Sequence, residues 1–131
     1  MAEHPNVQLL RDGYKAFSSG DMETIDRLFA DDIVWHEGGR NPLSGDYKGK
    51  DQVFGLFGKL IELTEGTLKI EVHDVVANDE HAVALVNIAA SRNGRSFSGT
   101  SVDVFHIRNG KAVEFWDNVT DRYGLDEVFS A

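Results

Sequence analysis

Val7, Leu10, Tyr14 and Phe17 fall at i, i+3, i+7 and i+10, the stripe of a single helix face. Ser18-Ser19-Gly20 ends that helix, and Asp21 can cap a second, short one carrying Met22, Ile25, Leu28 and Phe29. Asp31-Asp32 then introduces a strand from Ile33 to Glu37. After an irregular stretch, Asp51 can cap a third helix with Val53, Phe54, Phe57, Leu60 and Ile61 on its buried side. Gly55 and Gly58 inside that helix each cost about 1 kcal/mol relative to Ala. Two reasons would account for them: close packing on a neighbouring backbone, or space left for a ligand above a sheet.

From Thr67 the period changes from 3.6 to 2, with Leu68, Ile70 and Val72 alternating with Lys69, Glu71 and His73. HAVALVNIAAS (81–91) is nearly continuous apolar, as expected of a strand covered on both faces. Asn93-Gly94 and Asn109-Gly110 mark tight reversals joining strands 81–91, 95–108 and 111–119. A short helix from Asp121 to Phe129 closes the chain. With no repeat, low-complexity tract or linker, residues 1–131 form one α+β domain, helices packed on one face of an antiparallel sheet.

Register decides which residues share the inner face. A two-residue turn would pair Arg108 with Lys111 and set Asp103 beside Trp116. A three-residue turn, with Gly110 in a bulge, pairs Ile107 with Lys111 and Asp103 with Phe115. The second is preferred because it collects Asp103, Phe105, Ile107, Val113, Phe115 and Asp117 on one aromatic and aliphatic face. Val102, Val104, His106, Ala112, Glu114 and Trp116 take the other. Carboxylates among such rings demand partners or a raised pKa.

VWHEGGRNPLSGDYKG (34–49) raises the same issue. A strand-like run ends on His36 and Glu37 at the edge of a Gly/Pro-rich stretch. Glu37 can be a carboxylate at a cavity mouth, with that stretch as the rim admitting a ligand. Adjacent strand residues point to opposite faces, so His36 then faces outward.

Composition narrows the field. The chain of 131 residues has no cysteine, hence no disulfide framework and no thiolate chemistry. It shows no leader pattern and no apolar run of membrane-spanning length, so a cytoplasmic protein without membrane contact is expected. A net charge of −9 argues against a nucleic-acid partner. No metal-ligand spacing, Gly-x-Ser-x-Gly elbow or nucleotide-binding glycine loop occurs, so neither metal nor cofactor is expected.

The three N-terminal helices, the stretch YKAFSSGDMETIDRLFADDIVWHEGG and the hairpin VDVFHIRNGKAVEFWD resemble the nuclear-transport-factor-2-like superfamily. Within it, the chain resembles ketosteroid isomerase-related and SnoaL-like polyketide cyclase proteins over essentially its whole length. The resemblance implies a curved sheet wrapped around the helices, a cone with an apolar cavity open at one end. It implies Glu37 as the carboxylate base and Asp103 as an acid that stays neutral and donates to an enolate. The isomerases' oxyanion tyrosine falls at Gly13, one residue before Tyr14, and one residue turns a helix by about 100°.

Two functions follow as expectations. One is an acid–base enzyme, isomerase or cyclase type, acting on an apolar carbonyl compound. The other is a non-catalytic binding protein for a small apolar ligand. The candidate catalytic residues are Glu37, Asp103 and Asp117; the candidate ligand-binding residues are Tyr14, Trp35, Phe54, Phe57, Phe105 and Phe115. Val102, Val104 and Trp116 leave an apolar outer sheet face that no remaining helix can cover, so a homodimer burying Trp116 and His106 is expected, with Glu114 nearer the rim.

Overall fold

The computed structural model describes residues 3–131. Helix α1 (Pro5–Ser19) begins on a proline, whose fixed φ suits the first helical position, and ends at Gly20 in the left-handed conformation, φ 74°. Helix α2 (Met22–Leu28) is capped as expected: the Asp21 carboxylate accepts the Thr24 N–H at 3.1 Å. Strand β1 (Phe29–Glu37) follows directly and starts four residues earlier than the apolar run alone suggests.

The stretch read as irregular contains a strand, β2 (Gly45–Lys48), which pairs antiparallel with the end of β1. Its sequence, GDYK, carries no apolar alternation to betray it. Helix α3 (Lys50–Leu63) is entered through Gly49 at φ 84°, and no side chain caps it. Asp51 instead sits in the first turn, where its charge complements the helix dipole. Val53, Leu56, Phe57 and Leu60 are buried, whereas Ile61, expected inside, is 50% exposed. Gly55 and Gly58 face solvent, and a Cβ at either would meet nothing within 4 Å. Neither close packing nor ligand space explains them.

Strands β3 (Lys69–Ala77), β4 (His81–Arg92), β5 (Arg95–Arg108) and β6 (Lys111–Trp116) complete the sheet, and α4 (Arg122–Phe129) is capped by Asp121 through the Gly124 N–H at 3.0 Å. The curved sheet runs β2-β1-β6-β5-β4-β3, antiparallel except where β1 lies parallel to β6. That one parallel pair positions the site. Because His36 is opposite Trp116, both strands end together and Glu37 emerges next to Asp117.

The β5–β6 turn has two residues, not three: Arg108 pairs with Lys111, with Asn109 and Gly110 at φ 53° and 73°. The preferred face is nonetheless the right one. Val113 is an extra residue in β6, and past it Phe105 pairs with Phe115. The bulge restores the parity that the shorter turn would have lost. It also moves Ala112, expected outside, into the core at 1% exposure.

A second bulge, at His73 in β3, swaps the phase there. Ile70 and Val72 lie on the inner side before it, Val75 after it, and Val76 is thrown outward. Strand β4 is covered on its inner face only, leaving outward Leu85 38% exposed. Among the described residues no helix is long and apolar enough to cross a membrane.

Candidate functional site

The helices and the inner sheet face enclose an apolar cavity of about 120 Å³. Tyr14 and Phe17 line it from α1, Phe57 and Leu60 from α3, Leu125 and Phe129 from α4. The sheet contributes Trp35 and Glu37 from β1, Asp103 and Phe105 from β5, Phe115 from β6, and Asp117 just beyond it. All three candidate acids therefore meet one cavity. Of the six candidate ligand-binding rings, Phe54 does not reach the wall. It packs behind, tilted against Phe29 and Phe57 with centroids 6.3 Å away in each case. Trp35 stacks on Phe115 at 3.7 Å, fixing the indole at the base of the Glu37 side chain.

Asp103 is 5% exposed. The Tyr14 hydroxyl donates to its Oδ2, and the Ser101 hydroxyl donates to Oδ1 at 2.7 Å. Burial pushes the Asp103 carboxyl up to about 6, and those two hydroxyls hold it from rising further. Ser101 is not among the candidate residues of the sequence, although S-V-D spacing places it on the same face as Asp103. Burial, then the charge of Asp103, raises the Tyr14 phenol well above its ordinary value, so it stays protonated.

Glu37 accepts one bond, from the Trp35 indole N–H to Oε1 at 3.0 Å, leaving its other oxygen without a donor among the described residues. Burial first, and the neighbouring Asp117 second, push this carboxyl up to about 8. Asp117 is held in place: the Gly38 N–H donates to Oδ1 at 2.8 Å and the Arg122 guanidinium to Oδ2 at 3.0 Å. No sequence pattern marks Arg122 as its partner, since the pairing depends on how α4 turns back over the end of β6.

The Gly/Pro stretch does not form the expected rim. None of residues 38–44 lines the cavity. They are strapped to α4, where the Asp126 carboxylate accepts the Arg40 N–H at 3.0 Å and the Asn41 amide at 2.8 Å. His36 faces outward as expected, between Asp46 and Glu114. Among the described residues no group of three His, Cys, Asp or Glu is arranged to hold a metal ion.

The SnoaL-like domain family matches residues 10–115. The chain belongs to that family.

The fold of this SnoaL-like chain is the nuclear-transport-factor-2-like cone. The structure of Bal32a, from a soil-derived mobile gene cassette, superposes with a TM-score of 0.91 at 32% identity over 95% of this chain and 96% of that one. An uncharacterised protein of Mycobacterium tuberculosis is 29% identical over 112 residues, 85% of this chain and 86% of that protein. A candidate SnoaL-like polyketide cyclase from Jannaschia sp. CCS1 shares the fold, with a TM-score of 0.80 at 15% identity over 98% and 94% of the two chains.

Two details of the SnoaL-like site differ from what the isomerase resemblance implies. Gly13 and Tyr14 both line the cavity, and it is Tyr14 that reaches Asp103 despite its one-residue offset. The acid with the greater proton affinity is Glu37 rather than Asp103, because two hydroxyl donors stabilise the Asp103 carboxylate.

Proposed function

We propose that this protein is an acid–base enzyme of isomerase or cyclase type acting on a small apolar carbonyl compound. The observation that carries this reading is that Glu37, Asp103 and Tyr14 converge on one apolar cavity with Tyr14 bonded to Asp103, where burial pushes Glu37 up to about 8 and Asp103 up to about 6. Between those values Glu37 holds its proton and Asp103 does not, which poises an acid and a base around neutral pH. Glu37 gives its proton to the ligand's carbonyl oxygen. A carbon-bound proton leaves to the Tyr14 oxygen as Tyr14 passes its own to Asp103. The result is an enol, an ionised Glu37 and a protonated Asp103, so protons and charge balance. Return of the protons at another carbon gives an isomer; attack of the enol on a second carbonyl gives a ring. Asp117, tied to Arg122, contributes by raising Glu37.

The test is deuterium incorporation from D₂O into an apolar ketone such as 2-tetralone, followed by mass spectrometry between pH 5 and 9. Exchange should follow a bell between about 6 and about 8, the values to which the two acids are pushed. Glu37→Gln and Asp103→Asn should each lower it by about 10²-fold or more. Exchange identical in wild type and Glu37→Gln would end the catalytic reading.

The binding-protein alternative draws support from one observation. Both oxygens of Asp103 and of Asp117 already accept bonds, so of the three acids Glu37 alone has an oxygen free of donors among the described residues. Saturable ketone binding with no exchange would establish it. In either case we place the protein in the cytoplasm as a homodimer. The support for self-association is the outer sheet face, where Val76, Leu85 and Val102 are 58%, 38% and 37% exposed.

A further inference from the structure

Strands β1 and β6 lie parallel and end together, so Glu37 and Asp117 leave them side by side at the cavity wall. Two neighbouring carboxyls in such a setting do not ionise independently, and a proton goes to the one whose charge is less well stabilised. The donors are divided unequally between them. Asp117 takes two, the Gly38 N–H at 2.8 Å and the Arg122 guanidinium at 3.0 Å, the second carrying a full positive charge. Glu37 takes one, the neutral Trp35 indole N–H at 3.0 Å.

The strap of residues 38–41 and the start of α4 deliver both donors to Asp117. A Cβ on Gly38 would stand 2.8 Å from Arg122 Nη2 and 2.9 Å from Asp117 Oδ1, closer than a side-chain carbon can come. One on Gly39 would fall 2.8 Å from Arg122 Cδ and overlap the Asp126 carboxylate. Only backbone without side chains can lie this close to the Arg122–Asp117 pair. Asp126, one turn further along α4, accepts the Arg40 N–H at 3.0 Å and the Asn41 amide at 2.8 Å. It thereby latches the strap to the helix that carries Arg122. Among the described residues, Asp117 is the one acid that pairs with Arg122.

We propose that Arg122 and Gly38 are positioning residues, held by the Asp126 latch, that fix Asp117 as the anion of the pair and so leave the proton on Glu37. This rests on the reading of Glu37 as the proton donor of the cavity and adds what keeps it loaded. The other groups that face Glu37 are already engaged. Asp103 is bonded by Tyr14 and Ser101, and the Tyr47 hydroxyl of β2 donates to the Leu43 carbonyl at 2.7 Å. The raised Glu37 agrees: after burial, the Asp117 charge is the main cause, Asp103 adds less, and the direct opposing pull of Arg122 is smaller still. Arg122 therefore acts on Glu37 chiefly through Asp117.

The experiment reads the proton itself, by carbon-13 titration of the Glu37 carboxyl in wild type, Arg122→Gln and Gly38→Ala. Gly55→Ala serves as control, since its new methyl would meet nothing within 4 Å. Circular dichroism and the emission of a neutral dye bound in the cavity, 4-(dimethylamino)benzonitrile, check that each variant keeps its fold and its cavity. From about 8 in wild type, the Glu37 midpoint should fall by about one pH unit in Arg122→Gln and in Gly38→Ala, and stay in place in Gly55→Ala. The descending limb of the deuterium-exchange profile should move down with it. A midpoint that holds or rises in either variant overturns the inference, because loss of an arginine acting directly on Glu37 would raise it. A midpoint that falls in proteins showing no exchange at any pH overturns the catalytic reading and leaves the positioning of the proton standing.

Discussion

Tyr14 and Asp103, 89 residues apart in the chain, are joined by a hydrogen bond from the phenol to Oδ2 of the carboxylate. The bond ties the middle of α1 to the middle of β5 across the cavity. It also sets the protonation of the site, because it stabilises the ionised form of an acid that burial would otherwise neutralise.

Removing the phenol hydroxyl should therefore raise Asp103. Tyr14→Phe leaves Ser101 as its only donor, and losing a hydrogen bond to a charged group is worth about 1.5 kcal/mol, roughly one pH unit. Carbon-13 titration of the carboxyl should show its midpoint above the wild-type value of about 6. A midpoint that does not move would mean that Ser101 alone holds the proton off.

Asp103 should cost the fold stability at neutral pH. Its folded pKa of about 6 lies above its ordinary value of 3.8. Stability is therefore unaffected below the lower figure and falls as pH rises through the interval, the full loss being present above the upper one. The interval corresponds to about 3 kcal/mol at most. Asp103→Asn should thus be more stable than wild type at pH 7, by about 1–3 kcal/mol, and close to it at pH 4. Urea denaturation at the two pH values checks this; a variant weaker at pH 7 would show that the ionised group is fully compensated by its partners.

His36 should behave in the opposite sense. Its Nδ1 and Nε2 lie 2.7 Å from oxygens of Asp46 and Glu114 respectively. Ionised carboxylates only accept, so both ring nitrogens must donate, which requires the imidazolium. The bond to Glu114 raises the His36 pKa above its ordinary value, against a smaller opposing effect of burial. A raised base contributes stability that is complete below its unfolded pKa and lost as pH climbs through the folded one. His36→Gln should destabilise clearly at pH 6 and much less at pH 9; an equal loss at both would assign the effect to packing on Trp116, whose ring lies 5.1 Å away.

The pair Arg122–Asp117 offers a third contrast. Their side chains are only 23% and 10% exposed, so removing one partner strands a charge. Arg122→Met should cost about 3 kcal/mol, and Arg122→Met with Asp117→Asn distinctly less. Additive losses in that double-mutant cycle would show that the two groups do not depend on each other.

How far these groups could be found in the sequence depended on what carried each one. Val7, Leu10, Tyr14 and Phe17 announce α1 because a helix repeats its face, and period-2 runs announce the later strands for the same reason. Asp103 and Phe105 could be placed on the cavity face by alternation. Phe115 and Asp117 joined them only because the Val113 bulge offset a turn shorter than expected. Strand β2 was illegible, since GDYK earns its pairing from β1 rather than from its own pattern. The partners of Asp117 were hidden for a similar reason. Gly38 and Arg122 meet it through the parallel β1–β6 contact and the return of α4, neither of which leaves a local trace.

The outer sheet face supports the prediction of assembly. Strand pairing places Val76, Val83 and Val104 in one row across β3, β4 and β5, with Leu85 and Val102 in the next row. Trp116 pairs with Val104 and carries the apolar surface on to β6. Three of these side chains are more than a third exposed, which is much for adjacent aliphatic groups. The polar margin is His36, His81, His106 and Glu114, with His106 edge-on to Trp116 at 4.8 Å. A patch with an apolar centre and a titratable edge suits a two-fold contact in which each copy covers the other's valines. Light scattering at micromolar concentration should give twice 14.5 kDa. Val102→Glu, which puts a charge at the centre of the patch while the inner face stays as it is, should reduce that to the mass of one chain without altering dye binding in the cavity. A wild-type protein that scatters as a single chain at 100 μM would leave this face without its proposed partner.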